Sequence, residues 1–299
     1  MPPVSVKDAL ERVLEGLSPL GVERVQVGRA AGRVLATDLT ATLTQPPFDA
    51  SAMDGYAVRA ADVARLPQTL SLVGRSIAGA RYDGSLEPGQ AVRIFTGAPV
   101  PEGADTIAIQ EDAEERGESV LIKSTPPERY IRQRGQDFKE GDKLLTAGTR
   151  FGARSLMLAA AMNYAELPVR MRPRVAILST GDELLEPGSG LGPDQIVASV
   201  SFGIAALVAA SGGEPVNLGI APDDERAITD AIAHGAGADI LVTIGGASVG
   251  ERDLVTGALT QAGLQLDFAK VAMRPGKPTF AGRLGSTRVL GLPGNPVSA

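Results

Sequence analysis

The 299-residue chain contains no cysteine, no tryptophan and a single histidine. The first absence excludes disulfides, thiolate metal sites and cysteine nucleophiles together. With aromatics at only 4% of residues, the core is left to Ala, Val, Leu and Ile, which the 43% hydrophobic content supplies. Any Ser-His-Asp triad would have to run through His234. That residue stands in "AIAHGAG", where a helix ends before Gly235, and a cation near a helix C-terminus is the simpler explanation. Without sulfur ligands and with one imidazole, a bound metal would have to be hard and oxygen-ligated, as Mg2+ is. No apolar run approaches the ~18 residues needed to span a membrane. The N-terminal "MPPVSVKDALERVL" lacks an apolar signal core and reads as a capped helix start, so the chain is expected to be cytoplasmic with no membrane partner. Acidic residues outnumber basic ones 35 to 29, a net charge of -6, which argues against a nucleic-acid partner but leaves room for a local basic pocket.

What is present divides into three textures. Residues 5–17 place Val6, Leu10, Val13, Leu14 and Leu17 on a helical stripe, with Ser5 as N-cap and Asp8 in the first turn. From about residue 43 to 140, short apolar runs such as "AVRIFTGA" and "DTIAIQED" alternate with Gly/Pro turns, the pattern of a small, mostly β domain. A short helix at "GARSLMLAAAM" and an extended "YAELPVRMRPR" follow. From Arg174 onward, buried strands ("RVAILST", "EPVNLGI", "DILVTIGG", "TRVLGLPG") alternate with helices ("SFGIAALVAAS", "DDERAITDAIAHG", "ERDLVTGALTQAG"). That rhythm predicts a parallel sheet covered on both faces, a three-layer α/β domain.

Ligands of such sheets gather at the carboxyl ends of the strands. Four loops stand there: Thr180-Gly181-Asp182-Glu183, Asp223-Asp224, Gly245-Gly246-Ala247-Ser248-Val249-Gly250 with Asp253 beyond, and Pro293-Gly294-Asn295-Pro296. The "GGASVG" stretch is a candidate anion cradle, because glycines let backbone N–H groups approach a phosphate; a plain strand-to-helix turn explains it equally well. Asp223 and Asp224 also suit a helix N-terminus for structural reasons alone. Asp182 and Glu183, just past a buried strand, suit a cation bridging protein to phosphate oxygens. In "VAMRPGKPTF", Arg274 and Lys277 flank a Pro-Gly turn that would fix two cations for a tetrahedral oxyanion, or form a solvated basic turn.

Eight stretches in order carry a family resemblance: "PPFDASAMDGYAVR", "TGAPVPEGAD", "RQRGQDFKEGD", "PRVAILSTGDEL", "LGIAPDD", "GGASVGERD", "MRPGKP" and "GLPGNPVSA". Over essentially its whole length the chain resembles the MoeA family, the molybdopterin molybdenumtransferases, also found as the gephyrin E domain. The resemblance implies insertion of molybdate into adenylylated molybdopterin with release of AMP and assistance from Mg2+. It implies a homodimer whose active-site cleft lies between the α/β domain of one subunit and the β-rich domain of the other, with the molybdopterin adenylyltransferase as a further partner. The implied domains are 1–42 plus 141–172 (discontinuous, dimerisation), 43–140 (β-rich) and 173–299 (molybdopterin-binding α/β).

Position by position, the resemblance assigns catalytic roles to Asp54, Thr96, Asp137, Glu183, Asp223 and Asp253, and metal ligation to Glu183, Asp223 and Asp253. It assigns substrate or phosphate binding to Thr180, Gly181, Asp182, Gly245, Gly246, Ser248, Gly250, Lys270, Pro293, Gly294 and Asn295, and the molybdate pocket to Arg274, Lys277, Pro278 and Ser298. The chain departs from the family pattern at Ala50 (usually Asn), Ala247 (commonly Ser) and Ala198-Ser199-Val200, where an acid-small-Asn run is typical. The family continues past "GNPVSA" with a helix and a further β-barrel-like domain. Loss of these would leave the last five residues loosely held and favours, as the alternative, a binding or scaffold homologue without turnover.

Overall fold

The computed structural model describes residues 2–125, 129–246 and 254–299, and the chain divides into two compact units. Helix α1 (Val6–Leu14) comes first, capped as its sequence predicts, with Ser5 Oγ accepting from the Asp8 N–H at 3.1 Å. The unit of residues 24–168 then supplies strands β1 (Gly55–Val58), β2 (Gln68–Ser76), β3 (Gln90–Ile94), β4 (Thr106–Ile109), β5 (Ala113–Arg116) and β6 (Ser119–Ile122) and helix α2 (Ala153–Ala161). The remaining elements are β7 (Arg174–Thr180), α3 (Val200–Ser211), β8 (Glu214–Ala221), α4 (Glu225–His234), β9 (Ile240–Ile244), α5 (Leu254–Gln261), β10 (Gln265–Phe268), β11 (Phe280–Leu284) and β12 (Thr287–Leu292). Among the described residues no helix is long and apolar enough to cross a membrane.

In the 24–168 unit six strands form one sheet in the order β4-β1-β3-β2-β6-β5. Successive residues of a strand face opposite sides, and both sides are buried here. Tyr56, Val58, Ala91 and Ala108 pack in one cluster, whereas Ala57, Val92, Ile94 and Ile107 pack in the other. Several surface carboxylates of this unit are held by cations. Asp38 lies below its ordinary value because it accepts from Lys143 Nζ and from the Ala147 N–H, both at 2.8 Å. Hydrogen bonds from Arg116 and Lys123 bring Glu114 from 4.5 to about 2. A carboxylate depressed on folding stabilises the native state above its unfolded pKa and loses that contribution as pH falls through the folded value. Thermal unfolding followed from pH 5 to pH 2 is therefore expected to show a falling Tm, and E114Q should flatten its share of the slope.

The unit of residues 1–23 and 169–299 is built on a second six-stranded sheet, order β8-β7-β9-β12-β11-β10. Strands β8, β7, β9 and β12 are mutually parallel, but β11 runs against them and pairs antiparallel with both β12 and β10, so the sheet is mixed where an all-parallel one was expected. The reason is local. Leu284 pairs with Thr287 across the two residues Gly285-Ser286, with Gly285 at φ +60°, and so tight a connection permits only an antiparallel hairpin. Val175, Ile177, Val242 and Ile244 face α3, while the alternate residues Ala176, Leu178, Leu241 and Val289 share a core with Ile228 and Ile232 of α4 and Val255 and Leu259 of α5. Three layers result.

Helix α1 belongs to this unit, whereas the expected division grouped residues 1–42 with 141–172. Its Ala9 and Val13 pack on Phe268, Val271, Ala281 and Leu290. The larger side chains of the expected stripe, Val6, Leu10, Leu14 and Leu17, are each more than half exposed, because small Ala9 is what lets the helix approach the sheet closely.

Candidate functional site

The carboxyl ends of β7, β8, β9 and β12 open on a cavity of about 590 Å3, within the size range of small-molecule sites. Ser179, Thr180, Gly181 and Glu183 enter from β7, Asp223 from β8, Ile244, Gly245 and Gly246 from β9, and Gly294, Asn295 and Pro296 from β12. These loops are stitched to one another by backbone groups. The Gly181 N–H donates to Ala221 O at 3.2 Å, the Gly245 N–H to Leu292 O at 3.0 Å, and the Asp223 N–H to Asp182 Oδ1 at 3.0 Å. Close approach fixes the glycine at 245. With φ at +93°, a β-carbon there would stand 2.5 Å from the Thr180 carbonyl oxygen, so no other residue fits without moving the loop.

One wall is apolar. Leu184, Ile196, Val197, Ala198 and Val200 line it, built where the short strands Leu184–Leu185 and Ile196–Val197 pair in parallel. The polar lining comes from Ser179, Thr180, Glu183, Ser199, Asp223 and Asn295. Thr180 is 3% exposed, and its buried Oγ1 has no hydrogen-bond partner among the described residues. A buried hydroxyl left unpaired is costly and rare.

A second, more open hollow of about 660 Å3 shares Glu183 and Asp223 and adds Asp182, Gly192, Pro193, Asp194 and Gln195. Among the described residues no three His, Cys, Asp or Glu side chains converge closely enough to hold a metal by themselves. Two carboxylates on one rim still match the way Mg2+ is usually bound, through one or two carboxylates plus substrate phosphates. The neighbouring Asp224 is structural, its Oδ1 capping α4 through the Ala227 N–H at 2.8 Å. His234 closes the same helix, its Nδ1 2.7 Å from Asp230 O, as the helix-end reading anticipated.

Lys270, Arg274, Lys277, Pro278, Pro293 and Ser298 do not line the cavity. The basic turn is nevertheless tied to its edge by the closing residues. The Ser298 N–H donates to Asn295 O at 2.8 Å, and a β-carbon at Gly276 would stand 3.3 Å from the Ser298 carbonyl oxygen. Arg274 and Lys277 are exposed and make no ion pair with a described residue, and Lys270 is half-buried. Of the remaining expectations, Ala247, Ser248, Gly250 and Asp253 lie outside the described residues.

In the 24–168 unit, Asp54 Oδ1 accepts from both the N–H and the hydroxyl of Thr96, each at 2.7 Å. These bonds, with the charge of Arg93, hold the Asp54 carboxyl below its ordinary value. Asp137 is engaged by Arg132, whose Nη2 reaches both carboxylate oxygens at 2.7 and 2.8 Å, an arrangement that also serves a turn. Arg132 was not among the expected site residues, although its place five residues before Asp137 in "RQRGQD" is a usable signal. Nor was the apolar wall expected, whose trace is the two-residue run Ile196–Val197. Ala50 is buried in the short strand Ala50–Ser51, opposite Arg132.

Comparison with known proteins supplies the family. The model described as MoeA N-terminal region (domain I and II) matches residues 4–163, and that described as a probable molybdopterin binding domain matches 176–299. A molybdopterin molybdenumtransferase of Nostoc sp. is 41% identical over 285 residues, covering 92% of this chain and 65% of that protein. One of Haemophilus influenzae is 39% identical over 300 residues, covering 99% and 74%. This chain thus spans roughly two thirds to three quarters of those relatives. The crystal structure of a molybdopterin biosynthesis moeA protein from a Pyrococcus species superimposes with a TM-score of 0.84 at 32% identity, covering 99% of this chain and 76% of that one. Since both family models fall in order along a chain that keeps about 40% identity to such enzymes, the protein belongs to the MoeA family of molybdopterin molybdenumtransferases.

Proposed function

We propose that this chain acts in molybdenum cofactor biosynthesis, binding adenylylated molybdopterin and inserting molybdate with release of AMP. The observation that carries the proposal is the cavity of about 590 Å3 at the four strand ends, apolar on one wall and lined on the other by Thr180, Glu183, Asp223 and the Gly245-Gly246 backbone. A flat ring suits the first surface and a pyrophosphate the second.

In this reaction the anhydride bond of the adenylylate breaks, water supplies the oxygen that completes AMP, and the two dithiolene sulfurs take the place of oxygen ligands on molybdenum, which leave as water. Positioning and electrostatic stabilisation dominate such chemistry, so the lack of cysteine is no obstacle. Thr180 Oγ1 donates to the ligand, and the Gly246 N–H meets a phosphate oxygen, those of Gly181 and Gly245 being taken by Ala221 O and Leu292 O. Glu183 and Asp223, with Asp253, are the groups proposed to hold Mg2+, which when bound neutralises pyrophosphate oxygens. Arg274 and Lys277, with Pro278 and Ser298, are proposed to meet molybdate, and Lys270 the substrate phosphates; the free cations of the 274–277 turn support the first of these.

The assembly proposed is a cytoplasmic homodimer in which Asp54, Thr96 and Asp137 of the β-rich part, residues 43–140, serve the other subunit's cleft. The molybdopterin adenylyltransferase supplies the substrate. Within the 24–168 unit, the segments up to 42 and from 141 are proposed as the dimerisation part.

Calorimetric titration with adenylylated molybdopterin tests the site. Thr180→Val removes a hydroxyl that has no partner in the fold, so stability should hold or rise, while affinity falls about fivefold, the worth of one hydrogen bond of about 1 kcal/mol. Unchanged affinity in T180V would remove Thr180 from the site, and absence of binding by the parent chain would remove the proposal.

A further inference from the structure

Arg93 lies on β3 directly opposite Tyr56 of β1, beside the turn that bears Asp54. Its guanidinium is held between two rings, 4.8 Å from the centroid of Tyr56 and 4.9 Å from that of Phe95. Nη1 donates to Gly55 O at 3.2 Å, and Nη2 to Gln110 Oε1 at 2.8 Å. Gln110 is itself tied to the turn, because its N–H donates to Asp54 O at 3.1 Å. Tyr56, 4% exposed, is fixed from its far end by its hydroxyl, which donates to Glu115 Oε2 at 2.9 Å. Arg93 thus clamps the residue after Asp54, the residue that binds the Asp54 carbonyl, and Phe95, the neighbour of Thr96. An arginine is suited to this, since its planar fork can stack and donate in two directions at once.

We propose that Arg93 is a positioning residue that sets the geometry and charge of the Asp54–Thr96 pair. The proposal rests on the reading above that this pair takes part in the reaction. Arg93 touches no substrate in it; it acts by fixing the turn and by placing a positive charge near the carboxylate. Of the acids around the cluster, Glu115 accepts from the Tyr56 hydroxyl and Glu111 from Gln110 Nε2 at 3.4 Å, while the Asp54 carboxyl is lowered by its two bonds from Thr96 and, after them, by the charge of Arg93.

The test is 13C NMR titration of the Asp54 carboxyl and the amide shift of Thr96 in the full chain, in parallel with AMP release. In R93M, Asp54 is expected to titrate at higher pH, the Thr96 amide to move upfield as its bond lengthens, and kcat to fall about tenfold with KM nearly constant. R93K keeps the charge and loses the fork, so the Thr96 shift should still change and the Asp54 titration should move up by less than in R93M. If R93M does not fold, Q110A, which deletes an exposed partner of the guanidinium, is read by the same two signals. A folded R93M with both signals unchanged overturns the proposal. D54N separates the two levels: wild-type turnover in D54N would sink the role of Asp54, whereas the NMR signals decide Arg93 independently.

Discussion

Gly55→Ala is expected to destabilise the 24–168 unit by about 3 kcal/mol and to lower its Tm by about 10 °C. Gly55 lies on β1 between β3 and β4, paired with Ile94 on one side and Ile109 on the other. A β-carbon at this position would stand 2.1 Å from the Ala108 carbonyl oxygen and 3.0 Å from Ile109 Cα. Both obstacles are backbone atoms of β4, which no rotamer change can move. Relief requires β1 and the edge strand β4 to separate, and the ladder hydrogen bonds between them are lost. The same substitution at Gly203 should have the opposite sign. That residue sits in α3, where an added β-carbon meets nothing within 4 Å, and alanine there is worth about 0.5–1 kcal/mol over glycine. Thermal unfolding of the two variants side by side checks both. A Tm of G55A at or above the parent value would contradict the close pairing of β1 and β4.

For turnover, the largest losses are expected from Glu183→Gln and Asp223→Asn, on the order of 100-fold each in AMP release. The two carboxylates line both hollows, so they act on one charge distribution and the double variant should lose much less than the product of the singles. Both are exposed, which keeps their effect on stability small. Asp224 is the contrast. It caps α4, a role asparagine fills about as well, so D224A should cost about 1 kcal/mol of stability while D224N leaves stability nearly unchanged and turnover within a few-fold. If D224N abolished AMP release while D223N did not, the assignment of roles to these neighbouring acids would be reversed.

Local rules made much of this legible. The rhythm of apolar strands and helices after Arg174 located the layers, and the carboxyl-end rule named Thr180, Gly181, Glu183, Asp223, Gly245, Gly246, Gly294 and Asn295, all of which meet at one cavity. What failed was what depends on partners distant in sequence. The antiparallel pairings of β11 with β10 and β12 break the strand-helix alternation, and the Gly285-Ser286 connection is the sequence trace of the second. The face of α1 was misjudged because periodicity weighs side-chain size, whereas the sheet selected Ala9 for close approach. Arg93 carries no motif of its own. Its meaning comes from Tyr56, Phe95, Gly55 and Gln110, which only the pairing of β1, β3 and β4 gathers. The apolar wall at 196–200 likewise exists only because that segment folds back to pair with Leu184–Leu185.

The departures from the family pattern at Ala198, Ser199 and Val200 all line the cavity, with Ser199 the one hydrogen-bonding side chain of the three. Binding and turnover therefore need separate measurement. The most direct is single-turnover AMP release, with protein in excess over adenylylated molybdopterin and Mg2+ present, before and after molybdate is added. The expected result is close to one AMP per bound adenylylate, dependent on molybdate and lost in E183Q. Bound adenylylate that yields no AMP on addition of molybdate would contradict the proposed function and leave a binding protein in its place.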